Sequence, residues 1–143
     1  HLAQRLESAE FGGKTELDRS SAIALENVSR KSEAVLLSDM WFENEPFDVL
    51  RPVAARGASL CAVHISTPHE HNPEPLGSVR LEDSETGESL VGFVGEEAAN
   101  RFRELFAARV EELRAKFASL KIGFFSARSD DDLKSLVVKL ARG

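Results

Sequence analysis

A single cysteine, no long apolar run and no excess of basic charge narrow what this 143-residue chain can be. Cys61 alone excludes an internal disulfide. It lies in an apolar run, which reads as a buried thiol suited to a reducing compartment. It has no obvious activating base, so it reads as structural rather than nucleophilic. No apolar stretch approaches the roughly 20 residues that span a bilayer, and the polar start carries no signal-peptide pattern. Lys and Arg number 18 against 24 acidic residues, a net charge of -6, so the basic footprint of non-specific nucleic-acid binding is missing. The longest basic group (Arg101, Arg103, Arg109, Arg114, Lys116) alternates with Glu along one predicted helix. Gly-x-Gly-x-x-Gly and Walker patterns are absent, which removes the familiar nucleotide routes. Ser38 sits in no Gly-x-Ser-x-Gly elbow. No repeat, low-complexity tract or linker divides residues 1–143, so they read as one domain. The chain opens on His1 rather than Met, which reads as a piece of a longer polypeptide. The expected location is cytoplasmic, with any membrane tether upstream of His1.

What remains is an ordinary globular composition, 42% hydrophobic and 29% charged, in a chain long enough for a real core. Its most informative stretch is Glu33 to Asp39. Ala34–Leu37 form a short apolar run of the kind found in strands covered on both faces, as in parallel sheets. A hydroxyl and a carboxylate, Ser38 and Asp39, then end the strand. Before it, Leu2, Leu6 and Ala9 mark a helix stopped by Gly12-Gly13, and a second helix runs from Thr15 to about Lys31. After it, the spacing predicts a loop over 39–46, a helix over 47–56 that Pro52 either kinks or marks with a later start, and a second buried strand from Ala58 to Ile65. Residues 66–75 read as a polar loop. Leu76–Leu81 and Ser89–Val94 read as a hairpin whose Gly87 suits a left-handed turn position. Phe102, Phe106, Val110, Leu113, Phe117 and Leu120 place one apolar stripe on a long helix from Glu96 to Lys121. A strand over Ile122–Ser126 follows. Ser129 reads as the N-cap of a last helix that turns Leu133, Leu136, Val137 and Leu140 inward. Helices and strands therefore alternate around one hairpin near 76–94. This is the pattern of an α/β fold with an open, mostly parallel sheet and helices on both faces.

Ligand sites in such sheets lie beyond the carboxyl ends of the strands, where Asp39 falls. Thr15 would join it if the helix between them packs back on the sheet. A hydroxyl and a carboxylate are hard oxygen ligands suited to Mg²⁺ or Mn²⁺. Each residue also has a plain reading: Thr15 as an N-cap, Asp39 as the cap of a turn. Trp41-Phe42 reads either as a partner-docking pair beside the ion site or as core under the loop. His64, His69, Glu70 and His71 raise a zinc reading, weakened by the lack of a helical i, i+4 pair. Glu85-Thr86-Gly87 reads first as turn chemistry.

The order Gly-Gly-x-Thr-x-Leu, helix, apolar strand, Ser38-Asp39 resembles the middle of a von Willebrand factor A domain. More narrowly, the chain resembles the C-terminal part of the bacterial von Willebrand A-like family catalogued as domain of unknown function 58. That match rests on Ser38-Asp39, on Leu60–Ile65 followed by Pro68 and Glu70, and on Asp83-x-Glu85-Thr86-Gly87. The resemblance implies a protein–protein interaction module rather than an enzyme. It implies Thr15 and Asp39 as ligands of a divalent ion, Mg²⁺ or Mn²⁺, at a metal-ion-dependent adhesion site. It also implies a MoxR-type AAA+ ATPase as partner. The Asp-x-Ser-x-Ser element of that site is absent from these residues, so ion affinity in this piece is expected to be weak. An N-terminal strand of the whole domain is then also missing, and unpaired sheet edges would favour association between copies. The competing readings are a metal-dependent hydrolase working at Asp39 or the His69–His71 loop, and a purely structural domain.

Overall fold

The computed structural model describes residues 8, 22–23, 26–41, 47–83, 86–132, 134 and 136–138. In chain order the elements are β1 (Glu33–Ser38), α1 (Phe47–Ala55), β2 (Ser59–Ser66), α2 (Pro68–His71), β3 (Gly77–Glu82), β4 (Ser89–Val94), α3 (Glu96–Ser119) and β5 (Gly123–Arg128). β1, β2 and β5 form a parallel three-stranded sheet in that order, and β3 and β4 form a separate antiparallel hairpin. The fold is therefore the mixed α/β arrangement expected, with the hairpin inserted in the crossover from β2 to α3.

The register sorts the sheet into two faces. Ala34, Leu36, Leu60, Ala62, His64 and Phe124 share one face, because parallel partners project to the same side. On it, α1 contributes Phe47, Leu50 and Val53, and α3 contributes Leu113 and Phe117, to one core cluster. The Phe117 ring, with no exposed surface, meets Phe47 edge-on at 5.1 Å and stacks on Phe124 at 5.3 Å. Burying such a ring stabilises the fold by about 2–3 kcal/mol. On the opposite face Val63 and Ala127 are buried, but Val35, Leu37 and Ile65 are exposed. The apolar run of β1 is thus covered on one face only. Among the described residues β1 is an edge strand, and its continuous hydrophobicity alone cannot distinguish an edge from a centre.

The helix ends follow capping chemistry. α1 begins at Phe47 and includes Pro52, which lies on its exposed side, and closes at Gly57, whose φ of 81° suits glycine. α3 closes with a Schellman motif: the Ile122 N–H reaches the Phe117 carbonyl and the Lys121 N–H reaches that of Ala118, both at 3.0 Å. Lys121 takes the left-handed position, φ 59°, usually given to glycine. The basic and acidic residues of α3 pair along its solvent side, as in Arg109–Glu112 and Lys116–Glu112. Such pairs add only a few tenths of a kcal/mol each.

Three local expectations are corrected. Residues 66–75 contain the short helix α2. The last helix does not start at Ser129: the Leu136 N–H bonds the Asp132 carbonyl, while Ser129 and Asp130 form a turn. Val137, expected inward, is exposed. Among the described residues no helix is long and apolar enough to cross a membrane.

Candidate functional site at the carboxyl rim of the sheet

Because the three strands are parallel, Ser38, Ser66 and Arg128 end on one rim. The polar groups of the rim are built by the three exits.

At the exit of β1 the chain turns sharply. The Ser38 hydroxyl oxygen accepts from the Met40 N–H at 3.0 Å, and Asp39 Oδ1 accepts from the Trp41 N–H at 3.2 Å. The Ser38 hydroxyl also donates to Asp39 Oδ1 at 3.4 Å. Met40 takes a left-handed conformation, φ 60°, which costs about 1–2 kcal/mol for a residue with a side chain. Its side chain is buried in the core cluster, which offsets that cost. With Met40 pinned inward, Trp41 emerges 56% exposed. The reading of Trp41 as core under the loop is therefore wrong.

At the exit of β2, Thr67 caps α2. Glu70 Oε2 accepts from the Thr67 N–H at 2.6 Å and the Thr67 hydroxyl at 2.9 Å, completing a capping box. Its other oxygen, Oε1, accepts from the Trp41 indole N–H at 3.2 Å. Partial burial pushes the Glu70 carboxyl up, but the bonds from Thr67 and Trp41 outweigh it and hold the group below its ordinary value. One carboxylate thus locks the helix start and tethers an aromatic from the neighbouring strand's exit.

Beneath this surface, Ser66 Oγ and His71 Nε2 are 2.8 Å apart, and the Ser66 hydroxyl donates to the Ala127 carbonyl at 3.3 Å. Ser66 is 1% exposed, so it braces the rim and is closed to a substrate. His64, also buried, has Nδ1 3.3 Å from Ser126 Oγ and its ring against Phe106 and Phe124. Burial pushes its pKa down, while Glu70 and Asp39 pull the other way. At the exit of β5, Arg128 grips Asp130 with two guanidinium nitrogens at 2.9 and 2.6 Å. The Ser129 N–H ties this exit to the Ser66 carbonyl at 2.8 Å.

Of the residues singled out from sequence, Asp39 and Trp41 stand on this rim. Thr15 and Phe42 lie outside the described residues. The zinc reading finds no convergence. Glu70 turns to Thr67 and Trp41 and His71 to Ser66, and no group of three or more His, Cys, Asp or Glu among the described residues could hold a metal. A divalent ion fits the rim no better on these residues alone. Asp39 offers one carboxylate, whose Oδ1 is already engaged, and Ser38 one hydroxyl already bonded, so on these residues alone most of a Mg²⁺ shell would fall to water. Sequence reasoning missed Glu70's tether to Trp41 and the capping box beneath it. The signal was present: Thr67-Pro68-His69-Glu70 is an N-cap, a proline at the first helical position and a Glu at the third.

Fold and rim together define an open α/β domain whose strand-end surface presents a tethered, exposed aromatic. The chain belongs to the family described as protein of unknown function DUF58, whose model matches residues 2–116. That span takes in β1, β2, the hairpin and most of α3. No curated protein and no solved structure matches the chain.

Proposed function

We propose that this domain is a protein-docking module, not an enzyme, and that its contact surface is the rim around Trp41. The observation that supports this reading is the tether itself: a large aromatic is held 56% exposed by a charged hydrogen bond from a neighbouring loop. Rigid, exposed tryptophans are the residues most enriched among binding hot spots, because little side-chain entropy remains to be lost on contact. The von Willebrand A-like resemblance names a MoxR-type AAA+ ATPase as the first partner to test. The ion-dependent form of the reading assigns Asp39 and Thr15 as ligands of Mg²⁺ or Mn²⁺. Association between copies through the outer edge of β1, which has no partner strand among the described residues, is a further expectation of it.

Trp41 is the only tryptophan, so its emission reports on the rim directly. Titration with the ATPase should shift that emission, and Trp41→Ala should weaken binding at least tenfold in a calorimetric measurement, without loss of helix content. Unchanged affinity in that variant rules out the rim as the docking surface. Mg²⁺ tests the ion separately: Asp39→Ala should abolish any Mg²⁺-dependent gain in affinity, and a gain that survives the substitution rules out Asp39 as a ligand.

A further inference from the structure

We infer that the β3–β4 hairpin is a second docking arm, one that accepts an extended partner segment of alternating apolar and basic residues as a third strand. This does not rest on the Trp41 reading, because different residues carry it.

A two-stranded ribbon is marginal in water by itself; a third strand or a packed face is what usually stabilises it. This ribbon has neither along most of its length. It forms its own sheet, and among the described residues neither outer edge pairs with another strand. The cross-strand pairs Ser78–Phe93 and Arg80–Val91 project to one side and Leu81–Leu90 to the other. Leu81, Leu90, Val91 and Phe93 are between 53 and 75% exposed, so large apolar groups stand in solvent on both sides. The half-covered positions are Gly77 and Val79 on β3 and Val94 on β4, where the ribbon leads into Gly95 and α3. Clustered exposure of this kind on a projecting element marks an interaction surface.

Charge selects the occupant. The tip carries Glu82, Asp83 and Glu88, all exposed, against a single Arg80 on the strands. An acidic tip repels anionic lipid, and a second copy's hairpin would bring the same acidic tip to the contact. A strand with Lys or Arg where it passes the tip neutralises Glu82, Asp83 and Glu88, and its apolar residues extend the Val91–Phe93 side. Main-chain hydrogen bonds along an open edge supply the register, as in other strand-addition complexes.

The test uses a fluorescent eight-residue peptide of alternating Val and Lys, its Val–Glu counterpart, and fluorescence anisotropy at low and high salt. The Val–Lys peptide should bind. Binding should weaken at least tenfold in Val91→Ser/Phe93→Ser and, separately, in Glu82→Gln/Glu88→Gln. Both variants change exposed side chains, so unfolding transitions should match wild type; Trp41→Ala should leave peptide binding intact. Equal binding of the Val–Glu peptide would overturn the proposal. So would indifference to either arm variant, loss of binding in Trp41→Ala, Phe93-dependent dimerisation in sedimentation, or flotation with phosphatidylserine vesicles.

Discussion

Glu70→Gln isolates the single group on which the rim depends. The carboxylate accepts from three donors, two on Thr67 and one on Trp41. Hydrogen bonds to a charged acceptor contribute about 1.5–3 kcal/mol each when buried, against about 1 for neutral pairs. Glutamine keeps one acceptor oxygen but turns an NH₂ toward donors, so at least one of the three bonds is lost. The site is only partly buried, and solvent replaces much of what is removed, which reduces the expected loss to about 1–2 kcal/mol. Urea unfolding followed by far-UV circular dichroism reads that loss. The same substitution frees the indole, so Trp41 emission should move to the red and its anisotropy should fall in the native state. The pH dependence gives an internal check. The folded Glu70 pKa lies below the ordinary value, so the stabilisation is present above about pH 4.5 and is lost as pH falls through the depressed folded value. Wild type at acid pH should therefore acquire the emission of the variant. Native anisotropy and emission identical to wild type at neutral pH would refute the tether.

Three further outcomes are expected. Phe117→Ala removes a ring with no exposed surface that contacts Phe47 and Phe124, and should cost about 3–5 kcal/mol in chemical denaturation. Burial lowers the His64 pKa, so below about pH 6.5 the unfolded chain takes up a proton that the folded one resists. Thermal midpoints should decline from pH 7 toward 5.5, and a His64→Gln variant should flatten that slope. Lys121→Gly relieves a left-handed residue at an exposed helix end and should leave stability unchanged or raise it by about 0.5 kcal/mol, the relief partly offset by the looser unfolded chain.

The sheet, the long helix and the hairpin were legible because hydrophobic period and turn residues encode them locally. Phe106, Leu113 and Phe117 fall at helical spacing and are each buried, and Gly87 takes the left-handed turn that its position suggests. Asp39 was legible as a rim residue, since a carboxylate after an apolar strand has one natural place in a parallel sheet. What could not be read was lateral order. Whether Val35 and Leu37 face a helix or solvent depends on which strand lies beside β1, and residue spacing carries no such information. The Trp41–Glu70 contact joins residues 29 apart through two strand exits, so neither residue alone announces it. The Thr67 capping box was legible in principle but hidden by the prolines and histidines around it.

Met40 ties the surface to the interior. Its side chain is packed into the same cluster as Leu113 and Phe117, and its neighbours in sequence are the acid and the indole at the rim. Thinning that cluster from within should let the Met40 anchor slip while the strands stay paired. A chain weakened deep inside would then fail at recognition before it failed at folding, and losses of binding traced to distant substitutions would be read correctly only alongside a measure of how firmly Met40 is seated.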